Sequence, residues 1–209
     1  MLFNSISFLL FFPIVCLCYF VIPADWLRAR NGLLLVASFY FYMNWEPAYA
    51  LLLLSCIVIT WSTALGISRH DANDSRKHSR KWWLVVSIMV NLSVLFLFKY
   101  YNFLTAAVTD MMLSLGMTVS MPRFQLLLPV GISFYTFQAL GYSIDVYRGT
   151  VRAERDFLTY ALYVSFFPQL VAGPIERSTR LLPQFRERHV FNYGQAMEGL
   201  RLRMWGYFM

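Results

Sequence analysis

The chain has 209 residues, of which 58% are hydrophobic, 18% aromatic and only 14% charged. Soluble domains carry about 25% charged residues, so this composition excludes an ordinary soluble domain. The hydrophobic residues lie in long blocks, which predicts a membrane protein with several spans. The net charge of +7 is carried mainly by short loops between those blocks, an arrangement that indicates membrane orientation and argues against nucleic-acid binding.

The first four apolar blocks predict four membrane-spanning helices. We expect them at 5–22, with a kink at Pro13, and at 32–44, 48–67 and 82–98. The first block has no Lys or Arg before it and no small-residue cleavage site after it, so we interpret it as a retained helix. The second block is short for a hydrocarbon core of about 30 Å, and it can span only if its aromatic end lies at the interface.

The charged loops orient these helices. The loop at 24–31 carries Arg28 and Arg30, and the loop at 68–81 carries five basic residues, whereas the turn between the second and third spans carries only Glu46. The two basic loops fall on the same side if all three spans cross. The positive-inside rule makes that side cytoplasmic and places the N-terminus outside.

A mildly amphipathic stretch follows at 105–117. It is expected either to form an interfacial helix on the outer side, stopped near Gly116, or to extend the fourth helix. The residues favour neither alternative over the other.

The fifth block, at 126–147, is unusually polar for a span. Its polar residues are Ser133, Tyr135, Thr136, Gln138, Tyr142 and Ser143. Such side chains either make hydrogen bonds between helices or face a water-filled cavity, and their density favours a cavity wall. Asp145 and Arg148 close the block three residues apart, so they share a helix face and can form an ion pair.

The sixth block, at 157–172, is interrupted by Pro168, with Gln169 beside it. A full crossing would place the arginine-rich stretch at 177–188 on the outer side, against the positive-inside rule. We therefore predict a re-entrant segment that returns to the cytoplasmic face, with a short full span as the alternative. A broken helix at membrane depth requires protein or a wet cavity to satisfy its backbone.

The expected turn of this segment lies at Gly173 and Pro174, where the glycine would supply unusual backbone angles and the proline would fix the exit. Glu176 and Arg177 follow it directly. An arginine beside such a turn suits an anionic group such as a phosphate or a carboxylate. The plainer alternative is that this acid–base pair anchors the turn in the headgroup region.

The cysteines and histidines predict neither a disulfide nor a metal site. Cys16, Cys18 and Cys56 all lie inside apolar blocks, where free thiols behave as small hydrophobic groups. None of the three histidines stands in an HxxxH or HExxH spacing.

Two stretches of the chain are similar to a known family. LLPVGISFYTFQALGYSIDVYRG at 127–149 and YALYVSFFPQLVAGPIERSTRLLPQF at 160–185 resemble the membrane-bound O-acyltransferases. The likeness is strongest to the bacterial branch of alginate O-acetylation and teichoic-acid D-alanyl transfer proteins. The runs MLFNSISFLLFF and ASFYFYMNWEP resemble the same branch, so the likeness covers nearly the whole chain.

This resemblance implies an all-α, multi-pass bundle in the bacterial inner (plasma) membrane, with about five spans and one broken segment in a single domain over 1–209. It implies that an acyl group, in alginate acetylation an acetyl group, passes from a cytoplasmic acyl-CoA or acyl-carrier thioester to hydroxyls of an extracytoplasmic polysaccharide or a partner protein. Expected partners are membrane lipid, an acyl-carrier protein and a secreted acetyltransferase. The donor is a substrate, and no bound cofactor is expected.

The catalytic histidine of this family lies in a WRxWH-type motif, which the sequence lacks. We therefore expect the N-terminal part of such an enzyme, with the catalytic part and every catalytic residue absent, and no activity by itself. The predicted funnel and donor-side residues are Ser133, Gln138, Asp145, Arg148, Gln169, Gly173, Pro174, Glu176 and Arg177.

Within this set, the turn at 173–177 is expected to line the cytoplasmic entrance of the funnel near Gln138 and Asp145. Arg177 would steer the phosphate-bearing arm of the donor or pair with Asp145. Two other functions stay open: a transporter or permease fragment, against which the lack of matching interrupted segments argues, and a non-catalytic membrane scaffold.

Overall fold

The computed structural model of the chain describes residues 5–44, 47–69, 77–115, 131–170, 173 and 176–208. All regular structure in these ranges is helical, as the sequence predicts. The helices described there are α1 (Ile6–Val21), α2 (Leu27–Met43), α3 (Pro47–Arg69), α4 (Lys77–Ser114), α5 (Ile132–Arg148), α6 (Phe157–Ser165), α7 (Phe167–Leu170), α8 (Ser178–Gln184) and α9 (Tyr193–Phe208).

The first two predicted blocks form α1 and α2. The hydroxyl of Ser5 caps α1 by accepting a hydrogen bond from the backbone N–H of Phe8 at 3.2 Å, and the helix runs through Pro13 to Val21. Helix α2 begins at Leu27, five residues before the predicted start. The reason is that Arg30, expected in a loop, is buried at 3% exposure and packs as part of the helix.

The third and fourth blocks form α3 and α4. Helix α4 is continuous over 38 residues, or about 57 Å, so the stretch after the fourth block extends that helix and a separate interfacial helix is wrong. Its sequence contains no glycine or proline that would break it. The last two residues of the stretch, from Gly116, lie outside the described residues.

Two of the described helices are long and apolar enough to cross a membrane: Pro47–Arg69 and the part of α4 at Ser79–Tyr101. Helices α1, α2 and α5 have 16 or 17 residues, fewer than the roughly 20 that a perpendicular span needs. The number of crossings therefore stays a prediction.

The core lies where α3, α5 and α6 meet, and Leu53, Ile57, Ala139 and Tyr160 are fully buried there. A second, aromatic cluster joins α1, α2 and α7. The Phe8, Phe41 and Phe167 rings stand with their centroids 5.8 to 6.3 Å apart. These two clusters hold the short α6 and α7 against the longer helices.

The sixth block is broken, as predicted, but the break lies at Phe166 rather than at Pro168. Pro168 occupies the first turn of α7, where a backbone N–H has no partner within its helix, so proline is tolerated there. Helix α6 has nine residues, or about 14 Å. It is therefore too short to cross a hydrocarbon core of about 30 Å without α7.

The α1–α2 and α5–α6 connections and the start of α4 gather with residues 178–189 at one end of the bundle, which we call the basic end. The contacts that establish this join Arg30 to the carbonyls of Ile22 and His189, Asn31 to the carbonyl of Phe185, Arg80 to the carbonyl of Tyr147, Arg186 to Glu154, and Arg188 to Asp25. The described parts of the basic loops that the sequence assigns to one side therefore lie together.

The broken segment, residues 157–178, leaves the basic end and returns to it. Leu170 lies far from that end, because its carbonyl oxygen would stand 2.8 Å from a Cβ on Gly131, at the opposite end of α5. Because α5 has 17 residues, this point lies about 25 Å from the basic end. The chain is back at the basic end by Ser178, which bonds to Asp145 in the last turn of α5.

Gly131 is required by two features of this contact. Its φ is 79°, in the left-handed region that costs other residues about 1–2 kcal/mol, and the Leu170 carbonyl occupies the space of a side chain. Gly131→Ala should therefore destabilise the protein by at least about 1–2 kcal/mol, measured as thermal loss of helical circular dichroism in detergent.

Gly141 is the matched control, because it lies inside α5 and an added Cβ there would meet nothing within 4 Å. Gly141→Ala should keep or raise stability, since alanine favours a helix by up to about 1 kcal/mol. Equal melting temperatures for the two variants would contradict the close contact between Leu170 and Gly131.

Candidate functional site

The break between α6 and α7 is closed by two side chains from other helices. Gln138 of α5 donates its Nε2–H to the carbonyl of Tyr163 at 2.8 Å. The hydroxyl of Ser38 of α2 accepts a hydrogen bond from the backbone N–H of Phe167 at 3.2 Å. Because both bonds are buried, they supply the backbone partners that an interrupted helix needs in an apolar interior.

The glycine of the predicted turn is needed for close packing and not for its backbone angles. Gly173 is not among the described glycines with positive φ, but its Cβ would stand 2.8 Å from the Cα of Gln169. Its backbone N–H donates to the Gln169 carbonyl at 3.0 Å, so the chain folds tightly over Gln169, which is buried. Pro174 lies outside the described residues.

The return of the broken segment is tied to α5 by Asp145. The Ser178 hydroxyl donates to Asp145 Oδ2 at 2.8 Å, and the Tyr163 hydroxyl donates to the carbonyl of Glu176 at 3.4 Å. Among the described residues, Asp145 forms an ion pair with neither Arg148 nor Arg177, the two partners that the sequence suggested. Asp145 bonds instead to Ser178, the residue that follows Arg177 in the chain.

Three arginines are near neighbours, in the sequence, of the two residues that form the Asp145–Ser178 bond. Arg148 lies one turn after Asp145, and Arg177 and Arg180 flank Ser178 in the chain. All three are exposed, and in the described part of the chain none of them pairs with a carboxylate. The arrangement leaves three guanidinium groups at the basic end that can bind phosphate or carboxylate oxygens.

Two other polar side chains of α5, Ser143 and Tyr142, bond to neighbouring elements. The hydroxyls of Ser143 and Ser87 are 3.0 Å apart, and the Tyr142 hydroxyl accepts from the backbone N–H of Glu154 at 2.7 Å. Ser133 is half-buried. These contacts match the plainer of the two alternatives, hydrogen bonding between helices, and the cavity wall at α5 stays a prediction.

A buried carboxylate that the sequence did not single out organises the α5–α6 connection. Glu154 is 5% exposed; its Oε2 pairs with Arg186 and its Oε1 accepts from the backbone N–H of Asp156 at 3.1 Å. Its carbonyl accepts from the indole N–H of Trp61 at 2.9 Å. In the sequence it is only one of the two acids, with Asp156, among the hydrophobic and basic residues of VRAERD.

A large cavity lies on the other side of the broken segment, between α1 and α9. This lateral cavity has a volume of about 1110 Å³ and an apolar lining that includes Phe12, Cys16, Phe167, Gly199 and Leu200. None of the predicted site residues in the described ranges lines it. The sequence did not predict it, because it arises from the distance between two helices far apart in the chain.

Cys16, Cys18 and Cys56 are free thiols. Cys16 lines the lateral cavity, and Cys56 is buried and donates to the side-chain oxygen of Asn91 at 3.0 Å. In the residues that the structure describes, no three His, Cys, Asp or Glu side chains lie together as a metal site would need. His189 bonds through Nε2 to the carbonyl oxygen of Gln184 at 2.9 Å.

Comparisons with curated proteins identify relatives among bacterial O-acetylases. The chain is 38% identical to the probable alginate O-acetylase AlgI of Pseudomonas aeruginosa and 39% identical to that of Azotobacter vinelandii, in both cases over 90% of its length. It is 32% identical to a peptidoglycan O-acetyltransferase of Helicobacter pylori over 96% of its length. No family model and no solved structure matches the chain.

These relatives are much longer than the chain. The matches cover 35%, 36% and 42% of the three proteins, respectively, so the chain spans little more than a third of the curated relatives. The resemblance to this branch of O-acyltransferases is confirmed. Together with the two long apolar helices, the relatives indicate a membrane protein.

The Glu154–Arg186 pair should matter more for stability than the exposed pair at the same end. Glu154→Gln removes a buried charge that accepts hydrogen bonds from Asp156 and Arg186, so we expect a loss of about 1–3 kcal/mol in the free energy of unfolding, measured in detergent. Asp25→Asn is the matched control, because the Arg188–Asp25 side chains are 67% and 70% exposed and such pairs contribute roughly 0–1 kcal/mol. Equal losses for both variants would contradict the role of Glu154.

Proposed function

Since the chain is a homologue of bacterial O-acetylases over nine-tenths of its length, we propose that it forms the donor-side part of a multi-pass, plasma-membrane O-acyltransferase. The enzyme would transfer an acetyl group from a cytoplasmic thioester donor to hydroxyls of an extracytoplasmic polysaccharide or of a partner protein. The observation that carries this proposal is the sequence identity of the chain to an alginate O-acetylase and a peptidoglycan O-acetyltransferase.

The arginines at the basic end support a donor-binding site at that end of the bundle. Acyl-CoA and carrier-bound thioesters both contain phosphates, which arginine binds through paired N–H groups. Arg148, Arg177 and Arg180 are exposed there, beside the bond that holds the broken segment to α5. We assign them to the phosphate-bearing arm of the donor, and we assign the cytoplasmic side to this end because the basic loops gather there.

The chemical step needs a base to remove the proton of the acceptor hydroxyl, which then attacks the thioester carbonyl and displaces the thiolate. The histidine motif of the family is absent from these 209 residues. We therefore assign the base to the part of the relatives that the chain does not match. The chain alone should transfer no acetyl group.

A chimera tests this proposal. The aligned segment of the Pseudomonas aeruginosa alginate O-acetylase is replaced by this chain, and ester-linked acetate on alginate is measured in cells that lack the native protein. We expect acetylated alginate from the chimera and none from the chain alone. A chimera that inserts at normal level and leaves alginate unmodified would contradict the proposed function.

Within an active chimera, Arg177→Ala should lower acetylation about tenfold, the effect of losing one charge-assisted hydrogen bond to a phosphate. Arg28→Ala is the matched control, since Arg28 is also exposed at the basic end but lies away from the Asp145–Ser178 bond. If both variants keep full activity at equal membrane levels, Arg177 only anchors the segment.

A further inference from the structure

Helix α9 is held at its two ends and stands away from α1 in between. Beside its start, the rings of Phe191 and Phe20 pack with centroids 5.2 Å apart. Near its far end, the Arg203 guanidinium lies 4.8 Å from the ring centroid of Phe12. The lateral cavity fills the space between, and α9 turns its small residues Ala196 and Gly199 towards it.

The cavity has the depth of one membrane leaflet. Its lining on α1 runs from Phe12 to Val21, and its lining on α9 runs from Gln195 to Arg203, distances of about 12–14 Å along each helix. Half of a hydrocarbon core is about 15 Å. At about 1110 Å³ the cavity is as large as sites for sizeable organic ligands, which reach about 1,000 Å³.

The mouth of the cavity at the basic end is polar, with His189, Asn192 and Gln195 in its lining. Behind it lies Arg30, 3% exposed, with its guanidinium 4.7 Å from the ring centroid of Tyr19, another lining residue.

All the hydrogen bonds that Arg30 makes in the described part of the chain go to backbone carbonyls, two to Ile22 and one to His189. The end of α1 supplies a partial negative charge of about one half, which is less than a carboxylate would supply. A buried cation without a carboxylate favours an anion nearby. The site therefore combines a mainly apolar channel one leaflet deep, with Arg203 at its far end, and the buried positive charge of Arg30 behind its mouth.

We propose that the lateral cavity binds one anionic phospholipid from the leaflet at the basic end, with its acyl chain between α1 and α9 and its phosphate at the mouth. The proposal rests on the membrane location given above but not on acyl transfer. Its tests measure lipid binding alone, so their failure would leave the acyltransferase assignment untouched.

Native mass spectrometry of the 209-residue chain in detergent provides the first test, with phosphatidylglycerol and with phosphatidylcholine of the same acyl chains. We expect one retained phosphatidylglycerol and about tenfold weaker binding of phosphatidylcholine. Gly199→Phe fills the cavity and should reduce binding at least about tenfold. Gly206→Phe is the matched control, because Gly206 also lies in α9 with open space around its Cβ and does not line the cavity.

Thiol alkylation provides a test without any variant. Cys16 lines the cavity, whereas Cys18 is exposed and does not. Phosphatidylglycerol should slow the alkylation of Cys16 and leave that of Cys18 unchanged. Protection of Cys16 by coenzyme A but not by the lipid would overturn the proposal in favour of a donor site, and equal binding to the Gly199→Phe and Gly206→Phe variants would overturn it as well.

Discussion

A helix that breaks inside an apolar bundle leaves backbone N–H and C=O groups that cannot reach water, and each such group costs several kcal/mol unless the protein supplies a partner. The broken segment meets this constraint with Gln138 at the end of α6 and Ser38 at the start of α7. Because these partners belong to α5 and α2, the break fixes the segment between those two helices. The close approaches at Gly131 and Gly173 follow from that position.

The basic end results from the same geometry. A segment that enters and leaves at one end brings the arginines after it back to the other basic loops, where Glu154 receives Arg186. Among the described residues, the three arginines near the Asp145–Ser178 bond in the chain pair with no carboxylate, and Arg30 is buried against backbone carbonyls and the Tyr19 ring. The basic end therefore carries positive charge in two places: exposed arginines, which can bind phosphate groups, and the buried Arg30 beside the lateral cavity.

The sequence was sufficient to predict the helical class and the positions of the main helices, because long apolar blocks and loop charges are local properties. It also predicted the interruption of the sixth block. The predicted break lies two residues later than the observed one, because the hydrogen-bond partners of Phe167 and Tyr163 come from helices that are distant in the chain. For the same reason it paired Asp145 with arginines rather than with Ser178.

The functional residues that could not be predicted from the sequence share one property. Their roles depend on contacts between helices that are far apart in the chain. In the sequence Glu154 has the features of an ordinary loop acid, but in the structure it is buried beside Trp61 and Arg186. Arg30 belongs to a predicted loop, but its helix and its carbonyl partners bury it. The lateral cavity has no counterpart in any local pattern, since its walls are α1 and α9.

The central claim is that the chain on both sides of the broken segment lies at one face of the membrane. Single cysteines introduced at Arg152 and at Glu187, both exposed at the basic end, test it in a background without the native thiols. An introduced cysteine at Asn44, after α2 at the opposite end, serves as the reference. In intact cells an impermeant maleimide should label only position 44, and both other positions should react after permeabilisation. Labelling of position 187 but not 152 in intact cells would show that the segment crosses the membrane and would contradict the account.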